Sequence, residues 1–237
     1  MYTDFLKAEW RKLALLNYEI DPNVLLNYLP SKTELDLWNN TCYISLVGFM
    51  FQNTKVMGIP IPFHRNFEEV NLRFYVKYKE ENRWKRGTVF IKEIVPKHAI
   101  TLIANTLYKE HYETKKMRHQ WELKNNRINV RYQWKHYKKW QDITIEAKQE
   151  RLPIKENSET EFITEHYFGY TKKSSTETYE YEVTHPRWEY YEVEKYTIDV
   201  DFESVYGKKF QSLSKEKPKS VMLIEGSKIT VRHKRII

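Results

Sequence analysis

The stretch Glu69-Val70-Asn71-Leu72-Arg73-Phe74-Tyr75-Val76 decides the fold of this chain. Its apolar and polar residues alternate strictly, which is typical of a β-strand with one apolar face. Strand-like runs recur along most of the sequence, whereas helical spacing of apolar residues is rare. The sequence therefore predicts a mainly β (α+β) protein.

The remaining elements are predicted from the same periodicities and from turn residues. Two or three short helices are expected: one capped by Thr3 and running to Leu13, one from Asp21-Pro22 to Leu29, and one from Pro96 to about Lys109. Further strands are predicted at residues 15–20, 34–38, 41–51, 84–93, 117–123, 128–134, 142–151, 160–167, 176–185, 189–200, 220–224 and 229–233. So many strands and so few helices favour a mainly antiparallel sheet closed into a β-barrel.

The composition sets the size and class of the protein. A chain of 237 residues, 15% of them aromatic, suits one large β domain, and no linker divides residues 1–237. The single cysteine, Cys42, excludes an intramolecular disulfide and is consistent with a reducing cytoplasm. Because Cys42 lies in a strand-like run, we expect a buried and inert thiol.

The net charge of +8 raises the question of nucleic-acid binding. However, 40 basic residues are interleaved with 32 acidic ones, and the densest basic cluster, at residues 135–139, is short. A solvated hairpin accounts for that cluster, so we expect no nucleic-acid partner. The N-terminus lacks the apolar stretch of a signal peptide. The sequence contains no run of eighteen apolar residues, so no membrane span is predicted. We therefore expect a cytoplasmic protein.

The polar face of the stretch at 69–76 is the main candidate for a binding site. It presents an acid, an amide, a guanidinium and a phenol in steps of two residues, at Glu69, Asn71, Arg73 and Tyr75. If this face lines a cavity, Arg73 would grip a carboxylate and Asn71 would orient a carbonyl. A buried Arg73 must be paired, and Glu69 would fix it or move a proton.

Other motifs predict little. The eight histidines lack metal-binding spacing, and there is no glycine-rich phosphate loop, so neither a metal nor a cofactor is predicted. His185 precedes Pro186, which holds it in an extended conformation. It is either a site-lining residue or a half-buried histidine with a structural role.

Several segments together resemble a bacterial family of unknown function. They include Trp10, residues 16–22, residues 67–76 with the Glu-Val-Asn-x-Arg-x-Tyr-Val string, Arg86-Gly87 and residues 183–188. The resemblance covers roughly residues 8–231. That family is in turn distantly similar to the acetoacetate decarboxylases, which implies a cone-like antiparallel barrel with the site inside.

The resemblance to acetoacetate decarboxylases also points to Lys97. In those enzymes a lysine that follows a proline forms a Schiff base with the substrate ketone, and a second lysine next to it lowers the pKa of the first. Here Glu93-Ile94-Val95-Pro96-Lys97-His98 is similar, but His98 replaces the second lysine. Lys97 is thus a candidate catalytic residue, with a solvated lysine at a helix start as the alternative.

Two functions are compatible with the sequence. In the first, the barrel cavity binds a small carboxylate or carbonyl compound and is the site of an enzyme or a binding protein, lined by the polar row and His185. In the second, the chain is a non-enzymatic structural or interaction module, and the polar row forms a buried hydrogen-bonded network. The substrate, the oligomeric state and the pathway do not follow from the sequence.

Overall fold

Strands make up most of the structure, a computed structural model that describes residues 4–237 apart from the side chains of residues 107 and 108. The strands are β1 (Asp4–Glu19), β2 (Thr33–Leu35), β3 (Tyr43–Val56), β4 (Ile59–Pro60), β5 (Phe67–Glu80), β6 (Arg83–Val95), β7 (Tyr112–Thr114), β8 (Met117–Lys124), β9 (Arg127–His136), β10 (Lys139–Pro153), β11 (Phe168–Lys172), β12 (Thr178–Thr184), β13 (Glu189–Asp199), β14 (Ser220–Arg232) and β15 (Arg235–Ile236).

The helices are short. They are α1 (Pro22–Leu25), α2 (His98–Ile103), α3 (Glu159–Thr164) and α4 (Phe202–Tyr206), with 3-10 turns at Leu26–Tyr28 and Lys208–Ser214 and a π turn at Ala104–Tyr108. The mainly β class is therefore confirmed. The described residues form four short α-helices where two or three were predicted.

Seven strands pair into a ring in the order β12-β11-β6-β5-β3-β1-β14. The ring is closed by the antiparallel pairing of β12 with β14, where Val183 lies opposite Val231 and Thr184 opposite Thr230. The strands are not spaced evenly round an axis, so the predicted closed barrel is not confirmed as a shape. The pairings of β6 with β11 and with β7 are parallel, whereas the other strand pairings of the described residues are antiparallel, so the sheet is mainly antiparallel as predicted.

The strands β13, β10, β9 and β8 continue from β14 and pack on the outside of the ring. Tyr132 of β9 lies against Gly48 of β3, where a Cβ atom would stand 2.9 Å from the tyrosine ring. The Tyr132 hydroxyl donates a hydrogen bond of 2.8 Å to the carbonyl of Lys12 in β1. The ring therefore has an apolar core on each side of its wall.

The alternation in β5 distributes its side chains between these two cores. Val70, Leu72, Phe74 and Val76 are fully buried in the outer core. Tyr75 joins the inner core, and Glu69, Asn71 and Arg73 on the same face are also buried. Both faces of the strand are thus dry, so the polar row is not a solvent-exposed face.

Three local predictions are confirmed. Asp21 caps α1 by accepting a hydrogen bond of 2.9 Å from the amide of Asn23. Asn39 and Asn40 adopt positive φ in a turn closed by the Trp38–Thr41 bridge. Cys42 is buried, and burial raises the pKa of its thiol to about 11.

The predicted N-terminal helix is wrong, because residues 4–19 form strand β1. Thr3, its predicted cap, lies outside the described residues. β1 pairs with β3 on one side and β14 on the other along most of its length. These two long ladders override the local helical spacing of apolar residues.

Two further predictions fail for identifiable reasons. Residues 160–167 contain α3 instead of a strand: Ser158 accepts from the amide of Glu161, and Glu161 accepts from the amide of Asn157, close to the reciprocal bonds of a capping box. The two strands predicted at 220–224 and 229–233 are one strand, β14. Gly226 lies within it at φ +77°, so close to the backbone of Trp10 that only glycine fits.

Candidate functional site

A cavity of about 200 Å³ lies inside the ring. Every one of the seven ring strands contributes to its lining, and α2 forms part of one side. Most of the lining is apolar and much of it aromatic, including Trp10, Phe49, Phe51, Phe67, Phe90 and Phe168. Such a cavity with a few converging polar groups is the usual form of a small-molecule site.

The polar row of β5 forms one wall of this cavity. Glu69, Asn71 and Arg73 line it, and their exposed fractions are 2%, 1% and 9%. The pairing of β5 with β6 shifts register beside Arg73 and leaves Ile91 of β6 as the extra residue of a β-bulge. A bulge bends the strand that contains it, so this one re-aims side chains of β6.

Two more buried acids complete an acidic end of the cavity, which consists of Glu69, Glu93 and Glu110. Tyr112 donates a hydrogen bond of 3.2 Å to Glu69 Oε2. On the neighbouring strands β6 and β7, Glu93 and Tyr112 are register partners. The pairing of these two strands therefore brings Tyr112 to the acidic end.

Glu110 is held from the opposite side of the acidic end. It accepts hydrogen bonds from Thr171 Oγ1 over 2.5 Å and from the Tyr181 hydroxyl over 3.2 Å. The Tyr181 ring lies flat against Gly169, where a Cβ atom would stand 2.1 Å from the ring. Glycine at this position therefore allows the hydroxyl to reach the carboxyl group.

Burial controls the ionisation of the three acids. Loss of hydration raises the pKa of Glu69 and of Glu110 to about 7, against hydrogen bonds that lower it. The pKa of Glu93 is raised well above its ordinary value by burial and by the neighbouring Glu110 and Glu69. Near neutral pH Glu69 and Glu110 thus exchange between their carboxyl and carboxylate forms and can donate or accept protons.

Six buried polar atoms of cavity-lining residues have no hydrogen-bond partner among the described residues: Trp10 Nε1, Thr54 Oγ1, Asn71 Oδ1, Arg73 Nε, Glu93 Oε2 and His166 Nδ1. Asn71 uses its amide N–H to donate to Glu69 Oε1 over 2.9 Å, which leaves its oxygen as an acceptor. Leaving such atoms unpaired costs about 1–3 kcal/mol each. An interior ligand would remove this cost.

The predicted pairing of Arg73 with Glu69 is not formed. Among the described residues Arg73 has no hydrogen bond or ion pair, and its guanidinium lies 5.7 Å from the centre of the Tyr75 ring. The reason is geometric: four residues of strand span about 13 Å, and Asn71 stands between the two side chains. The charge of Arg73 still lowers the pKa of Glu69 from a distance.

A second buried unit reaches the cavity through His166. Asp36 Oδ2 accepts a hydrogen bond of 2.6 Å from Arg86 Nε and lies 3.2 Å from His166 Nε2. Burial lowers the pKa of His166 to about 4, so the ring is neutral and its Nδ1 has no partner among the described residues. With Nε2 donating to the carboxylate, Nδ1 is an acceptor at the cavity wall.

The other predicted site residues lie elsewhere. Tyr75 is buried between Ser45, whose hydroxyl is 2.7 Å from its own, and the His166 ring, and it does not line the cavity. His185 is half-buried and stacks on Trp188 with ring centres 3.9 Å apart. Lys97 caps α2 outside the cavity lining, and its charge lowers the pKa of Glu68 on the opposite face of β5.

Sequence reasoning missed Asp36, Glu110, Tyr112, His166 and Tyr181. Their positions in the sequence are far apart, and only the closure of the ring brings them together. Glu93 had a usable signal, because it is an acid in an apolar run of strand residues. No group of three or more His, Cys, Asp or Glu side chains in the described part of the chain could hold a metal ion.

Most of the chain matches a known family model. The family of uncharacterized conserved proteins called DUF2071 matches residues 7–228. The chain belongs to this family. It is also similar to the uncharacterized protein YqjF of Bacillus subtilis, with 36% identity over 75 residues, and that match spans 31% of each protein.

Solved structures with a similar fold come from the acetoacetate decarboxylase group. The acetoacetate decarboxylase of Legionella pneumophila superposes with a TM-score of 0.66 at 10% identity, covering 100% of this chain and 88% of that one. MppR, an enzyme of enduracididine biosynthesis solved in complex with pyruvate, superposes with a TM-score of 0.66 at 10% identity. That superposition covers 100% of this chain and 91% of MppR. At these identities the likeness shows the fold, as the sequence resemblance implied.

In the described residues no helix has the length and apolar character needed to cross a membrane.

Proposed function

We propose that this protein binds a small carboxylate or carbonyl compound in the ring cavity, with Arg73 as the anchor of the carboxylate. The observation that carries the proposal is a buried guanidinium that lines a cavity and has neither a hydrogen bond nor an ion pair among the described residues. A buried unpaired charge is costly, and a ligand carboxylate would accept two parallel hydrogen bonds from the guanidinium.

The acidic end gives the same cavity a capacity for proton exchange. Glu69 accepts a hydrogen bond from Tyr112 and burial raises its pKa to about 7, while burial raises the pKa of Glu93 well above its ordinary value. Groups with pKa values near the working pH are the most effective general acids and bases. A carbonyl compound held by Arg73 would therefore lose a proton from the carbon next to its carbonyl to this end, and regain one from it.

The fold supports this proposal, because MppR was solved with pyruvate bound. The alternative of a non-enzymatic module with a fully hydrogen-bonded interior is supported less well. Six polar atoms of cavity-lining residues lack partners among the described residues, whereas a purely structural network would be expected to satisfy them.

Binding is tested by isothermal titration with a series of small carboxylates on the wild type, Arg73→Met and the exposed-site control Lys155→Met. We expect binding to the wild type and the control, and a loss of at least tenfold in Arg73→Met, because a charged hydrogen-bond pair contributes about 1.5–3 kcal/mol. Equal affinity for all three proteins would refute the role of Arg73.

Proton exchange is tested by NMR of 2-oxobutanoate in deuterated water. The wild type should accelerate the replacement of the hydrogens on the carbon beside the ketone by deuterium, and Glu93→Gln should not. If the carboxylate binds but no exchange occurs, the protein is a binding protein and the acidic end has another role.

A further inference from the structure

The acidic end of the cavity has a property that the carboxylate anchor does not explain. Two unpaired atoms lie here, Oε2 of Glu93 and Oδ1 of its register partner Asn71 on the neighbouring strand β5, and both are oxygens. Both residues line the cavity and are at least 97% buried. An amide oxygen only accepts hydrogen bonds, so the ligand group beside it must donate one.

The charges around this position favour a cationic donor. Three carboxyl groups, Glu69, Glu93 and Glu110, make up the acidic end, and the charges of Arg73 and Lys234 offset only part of the rise in pKa that burial causes in Glu69 and Glu110. A protonated amine would supply several N–H donors and would offset the charge that the acids develop when they ionise.

The spacing of the two ends fixes the shape of such a ligand. Asn71 and Arg73 are alternate residues on one strand face, which separates them by about 7 Å. The walls between and around them are largely apolar and aromatic. The part of the ligand that joins its two polar ends must therefore be a short hydrocarbon segment.

We infer that the ligand is an amino acid of the ω type, with a carboxylate on Arg73, a protonated amine on Asn71 and Glu93, and several methylene groups or a ring between them. This inference rests on the proposed function for its carboxylate end. An α-amino acid fits less well, since its amine and carboxylate share one carbon atom and cannot span the two positions.

The test compares three ligands of equal length on the same protein: 6-aminohexanoate, hexanoate and hexylamine. By isothermal titration, 6-aminohexanoate should bind the wild type at least about tenfold more tightly than hexanoate, as expected for one charge-assisted hydrogen bond. In Asn71→Leu and Glu93→Gln the ratio should fall below about threefold, while Glu156→Gln at an exposed position should keep it.

The outcomes separate this inference from the proposed function. Equal affinity for hexanoate and 6-aminohexanoate in the wild type would overturn the amine site and leave the carboxylate anchor intact. Tight binding of hexylamine without any binding of hexanoate would overturn the anchor and retain the amine site. The comparison within the wild type is decisive even if a variant fails to fold, and retained hexanoate binding shows that a variant is folded.

Discussion

Asn71 and Glu93 lie directly opposite each other on the antiparallel strands β5 and β6, and each carries a buried oxygen without a donor among the described residues. Two residues further along β5, Arg73 carries a buried Nε without an acceptor. Unsatisfied acceptors and an unsatisfied donor thus lie side by side on one cavity wall. This pattern matches a ligand that brings an acceptor to Arg73 and a donor to Asn71.

The two buried arginines should respond differently to loss of charge. Arg73→Met removes a charge that has no ion pair, so the free energy of unfolding should stay equal or rise by roughly 1 kcal/mol. Arg86→Met removes the partner of Asp36 and should lower the free energy of unfolding by about 2 kcal/mol. This loss is smaller than for a fully buried ion pair because Arg86 is a third exposed. Urea unfolding of both variants measures this, and a larger loss in Arg73→Met would reveal a hidden partner.

The stability of the protein should depend on the ionisation of Glu110. Its folded pKa is raised from 4.5 to about 7, so the folded state keeps a proton that the unfolded state releases. The stabilisation is therefore present below about pH 4.5 and is lost as the pH rises through about 7, a change of about 3 kcal/mol.

The variant Glu110→Gln should lack this loss. Urea unfolding at pH 5 and pH 8 gives the free energy of unfolding of both proteins. The value for the wild type minus the value for the variant should fall by about 3 kcal/mol between the two pH values. Other titrating groups, including His166, cancel in this difference to first order. Glu156→Gln serves as the exposed control and should titrate in parallel with the wild type.

Gly169 should be required for the position of the Tyr181 hydroxyl. In Gly169→Ala the new Cβ atom would stand 2.1 Å from the Tyr181 ring, which must then move away from Glu110. We expect a loss of about 1–3 kcal/mol of stability, typical of overpacking, and weaker ligand binding. Unchanged melting temperature and affinity would show that the ring has room to move without consequence.

The Schiff-base role of Lys97 stays a prediction from the resemblance, and the position of Lys97 outside the cavity lining argues against it. Borohydride reduction in the presence of acetoacetate, followed by mass spectrometry, should modify Lys97 no more than the exposed Lys155. Lys97→Met should bind carboxylates as the wild type does. Selective modification of Lys97 would restore the decarboxylase mechanism.

The sequence predicted the parts of the fold that depend on local patterns. The alternation at 69–76, the Asn39-Asn40 turn and the Asp21-Pro22 helix start are all local, and all three are found. The predicted N-terminal helix is not formed because β1 is stabilised by strands β3 and β14, which are distant in the sequence and are not part of a local pattern.

The sequence likewise predicted only the part of the candidate site that depends on a local pattern. The three polar residues of β5 that line the cavity follow from alternation on one strand. The residues that complete the site, among them Glu110 and His166, come from segments that meet only after the ring closes. The predicted pairing of Arg73 with Glu69 was wrong because a strand is extended, so residues four positions apart are separated by about 13 Å.

The most direct test of the central claim is a crystal structure of the protein grown with 6-bromohexanoate, whose bromine can be located by anomalous scattering. The account predicts a bromine peak inside the ring and a carboxylate within hydrogen-bonding distance of Arg73, about 3 Å. A refined structure at saturating ligand with no bromine in the cavity, or with the carboxylate away from Arg73, would contradict it.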